Sequence, residues 1–348
     1  MLRISRYAYL QTLTAIFSKR LLSHKQLSYL LKLPIDKILP ALEHKGLDNI
    51  IQHLTQAQLK LLPAGNMDNL FLSVLLDDAQ SIIRSLSGVD RDFFIYWIRR
   101  FELQNIKTIL RGKSLQREQE QIVAELTPLG PFSVLPIDEL LHADNIPEIL
   151  LQLEKTPFAA IARYGSKNFE KKQDVFTIET AINHQYFTGL QKQLRLLSEE
   201  DQAILQPLLG RIIDQTNLIW LLRYRLSYQL SPSHTYFLLV PGGLYLSSKR
   251  LVQLSKIKKW QQLCELLPEK MKAQITGCAS IHHIELSLEQ DIINYASRML
   301  KTNTFTLSHA FVYLVVREKQ LSQLHALLKG KLLHLADKEI AFATGECL

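Results

Sequence analysis

The chain has 348 residues, of which 47% are hydrophobic, and its formal net charge is +8 at pH 7. Its 13 glycines and 12 prolines are few for this length, and leucine is the commonest residue. The composition therefore argues against a turn-rich β protein and predicts an all-α protein. This length also predicts about two or three domains.

The positive charge permits an acidic partner surface or a nucleic acid. The basic residues are scattered along the chain, however, and aromatic residues are not interleaved with them as in single-strand binders. We therefore expect no nucleic-acid partner.

The chain starts with MLRISRYAYL, which has no long apolar core followed by a small-residue cleavage site, so we interpret it as part of the fold. The three cysteines, Cys264, Cys278 and Cys347, are odd in number and unevenly spaced, as expected in a reducing compartment. The most apolar stretches, 236–246 and 305–316, are too short to span a membrane. We expect a cytoplasmic protein with no direct membrane span.

The first predicted elements are short helices that recur in pairs. Apolar residues every three or four positions predict two short helices in each of the segments 27–42, 137–153 and 251–267. We expect these pairs to open three copies of one structural unit.

Three nine-residue segments share one pattern, in which an amide and an aliphatic pair are followed by two basic residues. The segments are NIKTILRGK (105–113), NLIWLLRYR (217–225) and QLHALLKGK (323–331). The repeated polar and basic residues are Asn105, Arg111, Lys113, Asn217, Arg223, Arg225, Gln323, Lys329 and Lys331. A repeat of roughly a hundred residues is far longer than that of solenoids or propellers, so it predicts three copies of a domain-sized unit.

Each segment also predicts a long amphipathic helix, because its aliphatic residues recur at helical spacing. The trios with this spacing are Ile106, Ile109 and Leu110, then Leu218, Leu221 and Leu222, then Leu324, Leu327 and Leu328. We expect these stripes to pack inward.

The basic residues near the end of each segment allow two interpretations. They oppose the helix macrodipole at the carboxyl end, or they surround a shared surface that binds an acidic partner. The sequence alone leaves both open. We expect Arg111, Arg223 and Lys329 to occupy equivalent places.

A second element recurs before two of the motifs. Glu179 and Glu285 each follow an isoleucine and precede the motif amide by the same distance, whereas the first copy has Met67 at that place. Proline and glycine clusters in 126–136 and 231–248 mark boundaries. We divide the chain into three helical lobes of residues 1–120, 121–234 and 235–348.

Known catalytic patterns are missing. The adjacent His282 and His283 lack companion metal ligands, and the glycine pair Gly242 and Gly243 lacks the lysine and serine or threonine of a phosphate-binding loop, so a tight turn is the better interpretation. Glu199, Glu200 and Asp201 are typical of the first turn of a helix. We expect no catalytic, cofactor-binding or metal-binding residues.

The motif segments resemble a known family. WIRRFELQNIKTILRGK (97–113) resembles the acidic-x-x-Asn-Leu-Lys/Arg helix of the adaptor subunit of V-type and archaeal-type rotary ATPases, called C in prokaryotes and d in eukaryotes. IIDQTNLIWLLRYR (212–225), FLLVPGGLYL (237–246) and the closing segment 315–340 are similar to later parts of that family. Gln323 stands where the family has an asparagine-type residue.

The resemblance implies three similar helical lobes with pseudo-threefold symmetry that form a funnel, and no catalysis. It implies a peripheral position on the cytoplasmic face of the membrane. The implied partners are the central stalk, with its D-type coiled coil and F-type subunit, and the proteolipid ring of c/K/L-type subunits. The implied role is to transmit torque between ATP chemistry and proton or sodium transport. The alternative is a cytoplasmic helical scaffold with no rotary role.

Overall fold

The computed structural model describes residues 2–47, 64–172, 175–278, 280–302 and 306–345, and all the regular structure in these ranges is helical, which confirms the predicted fold class. The α-helices are α1 Leu2–Ser18, α2 His24–Leu31, α3 Ile35–Ala41, α4 Ala64–Arg84, α5 Gly88–Ser114, α6 Gln119–Ala124, α7 Ile137–His142, α8 Ile146–Leu153, α9 Ala159–Lys172, α10 Val175–Arg195, α11 Glu199–Leu222, α12 Pro232–Leu238, α13 Ser248–Leu254, α14 Trp260–Leu266, α15 Glu269–Ile275, α16 Ile281–Leu300, α17 Leu307–Leu332 and α18 Asp337–Thr344. A 3₁₀ turn spans Gly130–Phe132, and a π-helix spans Arg223–Ser227.

The predicted pairs of short helices are confirmed as α2 with α3, α7 with α8, and α13 with α14. Local capping explains where several of them begin. The Ser23 hydroxyl accepts a hydrogen bond from the Gln26 N–H at 3.3 Å, and the Gln26 side chain accepts one from the Ser23 N–H at 2.9 Å. Asn145 caps α8 by accepting from the Glu148 N–H at 3.0 Å. These side chains satisfy backbone donors that the first helical turn leaves free.

The three motif segments lie at the ends of the long helices α5, α11 and α17, which we call the motif helices. The three aliphatic trios are buried, so the predicted inward stripes are confirmed. The first ten residues of helix α17 are buried on every face of the helix, because each residue from Leu307 to Val316 is buried. A helix that is apolar all round belongs in the centre of a core.

The chain forms two compact units. The first comprises Met1–Asp90, Glu199–Leu208 and Leu286–Leu348, and the second comprises Arg91–Ser198 and Leu209–Glu285. In the first unit, α17 packs against α1, α4 and α18. In the second unit, α9 packs against α8 and α10.

A buried charge cluster in the first unit joins α4 and α17 to Arg20, which lies in the turn after α1. The Asp78 carboxylate accepts hydrogen bonds from Arg20, from the Tyr313 hydroxyl at 2.6 Å and from Arg317 Nε at 3.3 Å. Arg317 is only 1% exposed, and its other nitrogen donates to the Lys45 carbonyl at 2.8 Å. Because Arg317 is almost fully desolvated, Asp78 is needed to compensate its charge.

Among the described residues, no helix is long and apolar enough to cross a membrane. Cys264 and Cys278 are free thiols, and Cys347 lies outside the described residues. Phe305, the first residue of the apolar stretch 305–316, also lies outside them.

Replacement of Asp78 by alanine leaves the buried Arg317 charge without its carboxylate. We expect the substitution to destabilise the protein by about 3–5 kcal/mol. Denaturant unfolding followed by circular dichroism measures this loss. Asp77 is the matched control, because it is the preceding residue and its side chain is exposed. Asp77→Ala should change the stability by less than about 0.5 kcal/mol. Equal losses in the two variants would show that the Asp78 cluster does not hold these helices together.

Candidate functional site: the repeated motif helices

The motif amides of the first two copies make the same pair of hydrogen bonds. Asn105 Nδ2 donates to the Thr127 carbonyl at 2.8 Å, and Asn105 Oδ1 accepts from the Thr127 N–H at 2.8 Å. Asn217 binds the Val240 carbonyl and N–H in the same way, at 2.7 and 2.8 Å. In both copies the side-chain amide satisfies both backbone groups of one residue in the segment that follows the motif helix.

Gln323, the motif amide of the third copy, makes part of this contact. Its Nε2 donates to the Thr344 carbonyl at 2.7 Å. Its longer side chain therefore binds the backbone of the corresponding following segment, through one hydrogen bond instead of two.

A second polar residue, three positions before each motif amide, holds the backbone that opens another copy. Glu102 Oε1 accepts from the N–H groups of Val134 and Leu135 at 2.6 and 3.2 Å, just before α7. Asp214 accepts from the N–H groups of Tyr245 and Leu246 at 2.7 and 3.0 Å, just before α13. These hydrogen bonds connect the first motif helix to the start of the second copy, and the second motif helix to the start of the third copy.

In the third copy this position is Gln320, which binds residue Leu22 at the start of the chain. Gln320 Oε1 accepts from the Leu22 N–H at 2.8 Å, and Nε2 donates to the Leu22 carbonyl at 2.6 Å. Leu22 lies just before α2, which opens the first copy. We call these three contacts, made by Glu102, Asp214 and Gln320, the clasps. The clasp of each motif helix thus holds the opening of a different copy, and the third clasp holds the first copy.

The two clasp carboxyl groups lie in places that disfavour their charge. Burial raises the pKa of Asp214 to about 6, although its hydrogen bonds from backbone N–H groups act in the opposite direction. Burial likewise raises the pKa of Glu102, whose Oε2 lacks a hydrogen-bond partner. The Gly-Gly turn allows the close approach to Asp214, because a Cβ on Gly243 would lie 2.0 Å from Asp214 Oδ1. Gly242 has a φ of +97°, as a tight turn requires.

The structure places two of the repeated basic residues beside the repeated glutamates. Arg111 donates to both oxygens of Glu179, one of them at 2.5 Å from Nη2. Arg223 Nη2 lies 3.9 Å from Glu285 Oε2. Each pair joins the motif segment of one copy to the helix of the next copy that carries the repeated glutamate, which is α10 for Glu179 and α16 for Glu285.

The first copy supplies an acid one residue away from Met67, the position that corresponds to Glu179 and Glu285 in the sequence repeat. Met67 is buried, and the exposed side chain of its neighbour Asp68 lies 3.2 Å from His325 Nε2 on the third motif helix. A pattern search fixed on position 67 misses Asp68, whereas a search that tolerated a shift of one residue could have found it.

The other repeated basic residues have different surroundings. Arg225 donates to the carbonyls of Leu230 and Ile257, and Lys331 pairs with Asp337 at 2.7 Å. Within the described ranges, the amino groups of Lys113 and Lys329 make no hydrogen bond or ion pair with the protein. The motif therefore does not bring its six basic side chains into one common arrangement.

The ends of the motif helices match in backbone conformation. Gln116, Gln229 and His334 each follow a motif helix and have φ between 51° and 54°. Gly112 and Gly330 allow close packing of the next helix, since a Cβ there would lie 2.5 Å from Ile122 and 2.7 Å from Ile340. The second copy has Tyr224 at this position, within the π-helix that continues α11. A π-turn accommodates an extra residue in a helix.

No group of three or more His, Cys, Asp or Glu residues in the described part of the chain could hold a metal ion. The arrangement supplies mechanical connections between helices.

Comparison with known proteins shows the family. The profile of the "ATP synthase (C/AC39) subunit" family matches residues 10–341. The chain belongs to this family. It is 21% identical to the C subunit of the A-type ATP synthase of Methanosarcina mazei, over 97% of this chain and 92% of that protein. It is 24% identical to the C subunit of the A-type ATP synthase of Methanocaldococcus jannaschii, but that match covers 70% of this chain and only 62% of the relative.

Asn217→Ala tests whether the motif amides hold the helices of this chain together. The substitution leaves the buried N–H and carbonyl of Val240 without partners, so we expect a loss of about 2–4 kcal/mol in denaturant unfolding. Asn217→Asp should also destabilise, because a carboxylate cannot donate to the Val240 carbonyl. Thr216→Ala is the matched control, since the Thr216 hydroxyl only donates to the Ile212 carbonyl of its own helix. If Asn217→Ala and Thr216→Ala were equally stable, the amide contact would contribute nothing.

Asp214 should give the protein a specific pH dependence. Its folded pKa of about 6 lies above its ordinary value of 3.8, so the folded state binds the proton more tightly than the unfolded state. The stability that protonation supplies is fully present below the unfolded pKa and is lost as the pH rises through the folded pKa. We therefore expect the stability difference between the natural protein and Asp214→Asn to shift in favour of the natural protein as the pH falls between these two values. Unfolding midpoints measured at several pH values test this, and a constant difference would contradict it.

Proposed function

We propose that this chain is a non-catalytic coupling subunit of a V/A-type rotary ATPase. It links the central rotor stalk, with its D-type coiled coil and F-type subunit, to the proteolipid ring. It transmits torque for ATP-driven proton or sodium transport or for ATP synthesis, as a peripheral subunit on the cytoplasmic face of the membrane.

The observation that carries this proposal is the order of the clasps. Glu102 holds the opening of the second copy, Asp214 holds that of the third, and Gln320 holds that of the first. A part that transmits torque must not yield where its repeats join. Breaking a buried hydrogen bond without a replacement costs about 1–3 kcal/mol per unsatisfied group, so each clasp resists separation of the segments it joins.

The packing of the motif helices supports the same role. Their aliphatic stripes are buried, and interiors packed at native density deform little under load. The proposed three lobes, with limits near residues 120 and 234, would then behave as stiff segments. Similar contacts at the three clasps support the proposal of three related lobes.

The ion pairs between copies bear on the role of the repeated basic residues. Arg111 is occupied by Glu179, and Arg223 lies near Glu285. These partners favour a structural role for the two arginines. Lys113 and Lys329 are better candidates for contact with an acidic partner surface. We propose that Arg111, Arg223 and Lys329 hold equivalent places in the three lobes.

Coupling is tested by measuring two activities of the same complex. A rotary ATPase assembled without this chain and placed in vesicles should hydrolyse ATP but should not drive ion uptake. Addition of the purified natural chain should restore uptake per ATP hydrolysed. Asn217→Ala, which weakens the contact between a motif helix and its following segment, should restore less uptake than Thr216→Ala.

A tagged chain should also co-purify with stalk or ring subunits. Ion uptake that stays coupled to hydrolysis without the chain would overturn the proposal. A chain that binds no component of the ATPase and forms a stable complex elsewhere would be a cytoplasmic helical scaffold instead.

A further inference from the structure

A cavity of about 160 Å³ lies within the second unit. It is bordered by α5, by the first residues of α9 and by α10. Its most relevant lining residues are Tyr96, Arg99, Phe158, Ala160, Gly189 and Lys192. An apolar cavity of about 150 Å³ is large enough to bind benzene. The space therefore suits a compact molecule with one ring.

The wall of the cavity is aromatic. The rings of Tyr96 and Tyr186 are stacked, with centroids 5.6 Å apart and an interplanar angle of 9°. The Tyr96 hydroxyl donates to the Tyr186 carbonyl at 3.3 Å, so this polar atom is already occupied. Leu103 and Phe158 add buried apolar surface. The wall offers stacking and apolar contact to a planar group.

Gly189 is necessary for this wall. A Cβ at this position would lie 1.9 Å from the Tyr96 hydroxyl oxygen. Any larger residue would displace Tyr96 and disrupt the stacked pair. The glycine thus fixes the position of the ring.

Two cations border the same space without a carboxylate. Arg99 and Lys192 line the cavity, and none of the described lining residues is acidic. Neither side chain makes a hydrogen bond or an ion pair with the protein in the described ranges. The charge of Arg99 acts to lower the pKa of Glu102, but the Glu102 carboxyl group accepts hydrogen bonds from the backbone N–H groups of Val134 and Leu135. The cavity thus combines an apolar wall with two cations that form no ion pair with the described residues.

We infer that this cavity binds a compact aromatic carboxylate, with its ring against the Tyr96 and Tyr186 wall and its carboxylate between Arg99 and Lys192. Charge-assisted hydrogen bonds from these two side chains would hold the carboxylate. The lining lies within the second unit alone, so the inference does not depend on the rotary role.

The test is calorimetric titration of the full chain with benzoate. We expect one site with a Kd of about 1 mM or tighter. The neutral analogue benzamide should bind at least about 10-fold more weakly, because it lacks the charge that Arg99 and Lys192 would compensate. Inorganic phosphate should also bind more weakly, since it makes no use of the aromatic wall.

Variants locate the site. Lys192→Gln and Arg99→Gln should each weaken benzoate binding about 10-fold, which corresponds to about 1.4 kcal/mol. Lys192 is exposed, so its replacement should leave the fold intact. Ala160→Phe should abolish binding by filling the cavity at an exposed lining position. Arg163→Gln is the matched control, because Arg163 is an exposed arginine on α9 that does not line the cavity.

Two results would overturn the inference. One is benzoate binding that is absent at millimolar concentration or no tighter than that of benzamide. The other is binding that survives Ala160→Phe or weakens equally in Arg163→Gln, since it would then reflect attraction to surface charge.

Discussion

The structure depends on one constraint, which is that backbone groups between the helices need hydrogen-bond partners once they are buried. A helix satisfies its own backbone, but the segments that connect helices cannot. Here a side-chain amide binds both backbone groups of Thr127 and of Val240, and carboxyl groups bind the N–H groups before α7 and α13. These contacts determine where each connecting segment lies. They also determine where the next pair of short helices begins.

The use of carboxyl groups at two clasps has an energetic cost that the third avoids. Glu102 and Asp214 are buried acids, and desolvation raises the pKa of both. An acid is nevertheless suitable where the backbone offers two N–H donors, because carboxyl oxygens accept both hydrogen bonds. Asp214 uses one oxygen for each, whereas Glu102 uses Oε1 for both. At Leu22 the backbone offers one donor and one acceptor, and the amide of Gln320 matches that pair. The identity of each clasp residue therefore follows from the backbone groups that it faces.

Much of the fold could be predicted from the sequence because it depends on local periodicity. The aliphatic trios of the motif helices and the three pairs of short helices follow directly from helical spacing. The roles of Glu102 and Asp214 could not be derived in this way, because their partners lie about thirty residues further along the chain and become adjacent only on folding. The extra residue of the π-helix at Arg223–Ser227 and the displacement of the acid from Met67 to Asp68 break the strict register of the repeat. A search at fixed motif spacing does not reveal such shifts.

The hydrogen bonds of the clasps and the contacts of Arg111, Arg223 and His325 with acidic side chains follow the same order between copies. The first motif helix contacts the second copy through both Glu102 and Arg111, and the second contacts the third through both Asp214 and Arg223. The third motif helix contacts the first copy through Gln320 and His325. The chemistry differs in the third case, with an amide in place of an acid and a histidine in place of an arginine, yet the order of contacts remains the same. The three motif segments therefore share the connection itself and not a particular residue type.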